Sequence, residues 1–150
     1  MHPYLFIGLR VGPRALADLV RRIPQDKWDT PTHEGRFTPR EVIAHMADWE
    51  PIFQQRIQQT LDQPGSTVVG IDEIARAEEM KYQDWDMEKS IEKFATEREK
   101  TVNMLQALTK DQFAISGVHN EKGVLTVDDH ANMLLGHDLY HIEQLLDCMN

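Results

Sequence analysis

The sequence predicts an all-α fold, a four-helix bundle with a long crossover between its second and third helices. Four long segments carry apolar residues at helical spacing, and no segment alternates in the manner of a half-buried strand. The segment between the second and third helices, residues 62–85, is about two dozen residues long. A short loop forces neighbouring helices antiparallel, whereas a connection of this length can return the chain so that two helices run parallel.

In the first helix Leu5, Leu9, Leu16, Val20 and Ile23 share a face, and Pro24 closes it. Gly12-Pro13 predicts either a kink or the true helix start. A polar, turn-rich stretch follows to Phe37, with Trp28 as its anchor. Thr38-Pro39-Arg40-Glu41 is then a capping box with proline at the first helical position. The second helix carries Val42, Met46, Trp49, Phe53, Ile57 and Leu61 on one stripe, and Pro51 within it predicts a local bend. The crossover turns around Pro64-Gly65-Ser66 and predicts a short helix after Asp72. The third helix, from about Asp86 to Leu108, buries Met87, Ile91, Phe94, Val102 and Leu105. After a looser link at 109–125, Thr126 caps a fourth helix that faces Val127, Ala131, Leu134, Ile142, Leu145 and Met149 inward.

The chain of 150 residues, 41% hydrophobic, suits one domain spanning 1–150 with its own core. A net charge of −9 excludes the clustered basic surface that phosphate backbones require, so nucleic acid is not an expected partner. The single cysteine, Cys148, excludes an intrachain disulfide framework and suits a reducing compartment. No apolar run reaches the ~18 residues of a membrane span, and the N-terminal segment lacks the basic start of a signal peptide. The expected location is therefore the cytoplasm, with no membrane partner.

The chemistry-bearing pattern is a set of histidines. Residues four apart on a helix lie ~6 Å apart along the axis and ~40° apart around it, so His137 and His141 present their rings side by side. His45 borders the apolar stripe of the second helix as His137 borders that of the fourth. Packing the two helices together would bring all three rings to one seam. Three neutral imidazoles suit a divalent transition metal and leave coordination positions open.

The segments Glu41-Val42-Ile43-Ala44-His45-Met46-Ala47-Asp48-Trp49-Glu50 and Gly136-His137-Asp138-Leu139-Tyr140-His141-Ile142-Glu143-Gln144-Leu145 resemble the second-helix and final-helix motifs of the DinB/YfiT-like metalloenzyme superfamily. Trp28, the Phe37-Thr38-Pro39 segment and the order and lengths of the helices extend the resemblance over nearly the whole chain. It implies up-down-down-up topology, a metal held by His45, His137 and His141, and a homodimer. Zn or Ni is the implied ion, with Fe, Mn or Cu as alternatives. Tyr140 stands where many relatives carry another histidine that is not a ligand.

The chain has no Gly-x-Ser-x-Gly elbow, and Cys148 lies seven residues beyond His141. Catalysis would be metal-centred, with water or an exogenous thiol as nucleophile, and no residue is assigned as the catalytic group. The expected substrate is a small molecule, in company with a low-molecular-weight thiol if the activity is thiol S-transfer rather than hydrolysis. Arg98, Asp138 and His130 are candidate pocket residues. Arg98 and Asp138 each interrupt an apolar stripe, which predicts either that they pair with each other or that Arg98 faces the pocket to bind an anion. Gln144 and Asp48 each follow a ligand by three residues, where either could hydrogen-bond an imidazole. The alternative function is a non-catalytic dimeric bundle with a structural metal or none.

Overall fold

The computed structural model describes residues 3–149. In chain order it contains α1 (Leu5–Arg22), α2 (Pro39–Asp62), β1 (Thr67–Val68), α3 (Glu73–Met80), α4 (Met87–Gln106), α5 (Lys110–Phe113), β2 (Ser116–His119), β3 (Gly123–Thr126) and α6 (Val127–Asp147), with single 3-10 turns at Gln25–Lys27 and Tyr82–Asp84. The long helices α1, α2, α4 and α6 pack around the core.

Their ends follow the predicted chemistry. Thr38 and Thr126 each accept from the backbone N–H three residues on, while Glu41 and Asp129 return the bond. Asp72 and Asp86 cap α3 and α4 in the same way with their carboxylates. The Trp28 indole N–H donates to the Val20 and Ile23 carbonyls, at 3.2 and 3.1 Å, so this ring does anchor the end of α1. Pro51 leaves α2 continuous.

Gly12-Pro13 neither starts nor breaks α1, which runs through both. Proline has no N–H to give the carbonyl four residues back, here that of Leu9. The Arg98 guanidinium of α4 supplies the missing donor, at 3.1 Å. A side chain on Gly12 would overlap the Asp138 carboxylate of α6. The pair is therefore a docking point for two neighbouring helices.

The expectation of a purely α fold needs correction: a small three-stranded sheet is present, in order β1-β2-β3. β1 runs parallel to β2, and β2 pairs antiparallel with β3 through a tight connection that ends at Gly123, φ +80°. The strands are two to four residues long, too short for a two-residue period to register against the helical background. The sheet ties the crossover to the 109–125 link. Met149, expected to face inward, lies beyond the end of α6 and is exposed.

Two apolar clusters form the core. One joins Leu5, Leu9, Phe53, Ile57, Val102, Leu105, Val127 and Leu134; the other joins Leu16, Val20, Val42, Met46, Met87, Phe94 and Leu145. Between them along the helices lies a layer of buried polar side chains: His45, Glu50, Arg98, Asp138 and His141.

Candidate metal centre

Three imidazoles converge in that layer. His45 from α2 is fully buried, His141 from α6 nearly so, and His137 lies between buried and exposed. The Nε2 atom of His137 stands 2.9 Å from that of His45 and 3.1 Å from that of His141. The candidate donor atoms of the three rings all lie within 4.8 Å of one another.

The tautomer of His141 follows from its neighbours. The Gln144 amide N–H donates to the Phe37 carbonyl at 3.3 Å, which turns its oxygen towards His141. That oxygen lies 3.0 Å from Nδ1 of His141 and can only accept, so Nδ1 carries the proton and Nε2 holds a lone pair directed at the cluster. Burial is the main cause that holds all three rings below their ordinary pKa, well below for His45 and His137 and to about 4 for His141. Mutual repulsion adds to this at His45 and His137, and Arg36 acts the same way on His141, against its hydrogen bond to Gln144.

Neutral rings with converging nitrogens cannot all satisfy one another, because each Nε2 offers either one proton or one lone pair. His45 in addition has a buried Nδ1 with no hydrogen-bond partner. A divalent cation satisfies such a set, and three imidazole donors suit one. Phe37, Trp49 and Tyr82 contact the His45 ring, and Phe53 contacts that of His137, with centroids 5.1–6.1 Å apart. These rings keep the surroundings dry. His141 borders a small cavity of about 80 Å³ with Arg36, Glu73, Ile74 and Tyr140 on its walls.

The other candidate residues are placed differently. Arg98 spends all five N–H donors: two on Glu50, at 2.7 and 3.0 Å, two on Asp138, at 2.5 and 2.8 Å, and one on the Leu9 carbonyl. It has none left for a substrate anion. Burial alone would lower its pKa, but Asp138 and Glu50 outweigh that and hold the guanidinium charged. His130 is buried, with Nδ1 unpartnered, and its electrostatic neighbours are Arg56, His119 and Asp129. Asp48 takes no histidine; it accepts from Arg76 at 2.5 and 3.0 Å and from the Tyr82 hydroxyl at 2.7 Å. That arrangement fastens the crossover to α2. His2 lies outside the described residues.

Three residues near the centre escaped the sequence reading. Glu73, at the start of α3, lines both the cavity beside His141 and a second one over Arg56. The residue is exposed as a whole, but partial desolvation of its carboxyl raises its pKa against the pull of Lys122 and Arg56. His119, within the 109–125 link, ends β2 and is buried. Arg56 had a visible signal, since it sits seven residues after Trp49 on the same apolar face of α2.

Comparison with known proteins agrees with this architecture. A family model described as the DinB superfamily matches residues 9–145. No curated protein matches the chain. Among solved structures, YfiT from Bacillus subtilis is similar, with a TM-score of 0.89 and 23% sequence identity over 96% of this chain and 83% of that one. It is described as a probable metal-dependent hydrolase with an unusual four-helix bundle topology. At that identity the likeness speaks for the fold.

Proposed function

The chain belongs to the DinB superfamily, and from that premise we propose that it is a metal-dependent enzyme whose divalent ion is held by His45, His137 and His141. The observation that carries this reading is the convergence of three ring nitrogens, two of them from buried histidines, within 4.8 Å. An ion held there supplies Lewis acidity, which makes a nucleophile available near neutral pH and polarises the bond under attack. Zn and Ni fit a set of neutral imidazoles, with Fe, Mn and Cu as further candidates.

The side chains of this protein do the rest. Gln144 fixes the His141 ring and its tautomer. The aromatic wall excludes bulk water from the inner side of the histidines. Glu73, with its raised pKa, is the carboxyl on the cavity walls suited to take up and return a proton. A structural zinc normally has a fourth protein ligand. Among the described residues the group that could hold a metal has three members, which supports a catalytic rather than a structural ion.

Hydrolysis is the favoured reaction, supported by the description of the similar YfiT. Transfer to a low-molecular-weight thiol uses the same open site. Zinc- and nickel-loaded protein is to be assayed on ester and amide substrates with and without added thiol. Turnover without thiol supports hydrolysis, thiol-dependent turnover supports transfer, and no turnover with a fully loaded site contradicts the enzyme reading.

The same reading takes the long helices in up-down-down-up order. The first halves of α1 and α6 share one core cluster and their second halves share the other, as parallel helices do. It also takes the protein as a cytoplasmic homodimer, a state supported by the exposed Ile7, Val11, Leu139 and Leu146 on the outer faces of α1 and α6.

A further inference from the structure

Arg56 is a buried cation with no anion bonded to it; Glu121 and Glu73 act on it only through space. The residue is 7% exposed, and its guanidinium lies over the Trp49 and Phe53 rings at 5.4 and 5.8 Å. Its one hydrogen bond is a long one, 3.4 Å from Nη2 to the Val69 carbonyl. Among the described residues no carboxylate comes within ion-pair distance of it. A guanidinium has five N–H donors, and Arg98 in the same protein uses all of its own. Arg56 leaves its Nε and Nη1 unbonded, and neither is sealed from the cavity beside it, so both are open to a ligand.

The space for it exists. A cavity of about 330 Å³ opens beside Arg56, walled by Trp49, Glu73, His119, Glu121 and Lys122, which is the size of a small-molecule site. His119 accepts the Glu121 backbone N–H at Nδ1, 3.2 Å, so its ring proton sits on Nε2 as a further donor. Trp49 also contacts the His45 ring, with centroids 5.1 Å apart, and Glu73 walls both this cavity and the one beside His141. The cavity over Arg56 is therefore one side chain removed from the three histidines, with Trp49 and Glu73 between.

We infer that this cavity binds the carboxylate of a small molecule on Arg56, with the rest of the molecule extending past Trp49 towards the three histidines. Only that direction rests on the metal reading above; the anion site stands on Arg56 itself. One unpaired guanidinium matches one negative charge, in the planar two-oxygen geometry of a carboxylate. Glu73, Glu121 and Asp72 on the same walls weigh against any anion, and about twice as heavily against a phosphate dianion as against a single carboxylate. Those carboxylates also give room for an ammonium group on the same ligand, as in an amino acid.

The test is an NMR titration of the full chain, metal-loaded and chelator-treated, with sodium butyrate, butylammonium and inorganic phosphate at constant ionic strength. The signals followed are the Arg56 Nε–H and the Trp49 indole N–H. Butyrate should shift both saturably in either metal state, so a failure of the metal reading leaves this result standing. In Arg56→Met the Trp49 response to butyrate should weaken by about tenfold or more, the loss of one charge-assisted pair. That variant should melt no lower than the wild type, because it removes an unpaired buried charge. No saturable shift with butyrate, an unchanged Trp49 response in Arg56→Met, or tighter binding of phosphate or butylammonium than of butyrate would overturn the inference. So would a marked drop in melting temperature, which would assign Arg56 to the fold.

Discussion

Arg98 of α4 and Asp138 of α6 form a two-bond ion pair, at 2.5 and 2.8 Å, with both side chains almost wholly out of water. The pair docks against Gly12-Pro13 of α1, where a missing side chain admits the carboxylate and a missing N–H frees the Leu9 carbonyl for Arg98. Glu50 of α2 closes the arrangement from the other side. One guanidinium thus fixes the relative positions of all four long helices, and with them the heights at which His45, His137 and His141 meet.

Removing that guanidinium leaves two buried carboxylates without a partner. Arg98→Met should cost about 3–5 kcal/mol, the scale for breaking a buried pair. Gly12→Ala should cost roughly 1–3 kcal/mol by forcing Asp138 aside. Urea denaturation of both variants measures this, and a wild-type midpoint in either would show that the network does not hold the helices together.

Gln144 acts on the metal through His141. Gln144→Leu keeps the volume near constant but removes the partner of the His141 Nδ1–H. Metal affinity should fall roughly 10–100-fold, and the metal-free protein should lose on the order of 1–3 kcal/mol because the His141 Nδ1–H is left buried without a partner. Competition with a chelator of known affinity reads the first quantity and a thermal melt the second.

The histidines also set an acid limit. Burial holds all three below their unfolded value near 6.5, with His141 at about 4, so below pH 6.5 the unfolded chain binds more protons than the native one. The stability they contribute is complete above that pH and is lost as pH falls below it, for His141 through the window from about 6.5 to 4. His141 alone accounts for on the order of 3 kcal/mol of it. The melting temperature of metal-free protein should be level above pH 7 and decline steadily below 6.5. A triple His→Gln variant at the three positions should give a flatter curve, and equal slopes would contradict the placement.

Tyr82 tests the attachment of the crossover. Its hydroxyl is buried and donates to Asp48, which also holds Arg76. Tyr82→Phe should cost roughly 1.5–3 kcal/mol, the range for a hydrogen bond to a charged group, and should raise amide exchange in α3 more than in α4. Uniform exchange would place the effect elsewhere.

The helix ends and the histidine spacing were legible in the sequence because both are local. Thr38, Asp72, Asp86 and Thr126 cap within a few residues of themselves, and His137 and His141 share one helix turn. Arg98 and Asp138 were visible as interruptions of apolar stripes. Their third partner was not, because Glu50 lies one position off the stripe beside Trp49. The sheet and the position of Glu73 depend on where the crossover lands, and such contacts leave no period in the chain, whereas Arg56 stands on the apolar face of α2 seven residues after Trp49 and was open to detection. Gly12-Pro13 was a real signal read as a kink or a helix start, since its purpose is set by α4 and α6.

The central claim is that His45, His137 and His141 together hold one divalent ion, and the most direct test is metal content. Protein purified without a histidine tag, then offered zinc or nickel, is to be measured by elemental analysis beside a His45→Ala, His137→Ala, His141→Ala variant whose helicity is checked by circular dichroism. About one ion per chain is expected in the wild type and none in the folded variant. A wild type that takes up neither zinc nor nickel, or a variant that binds as much as the wild type, would contradict it.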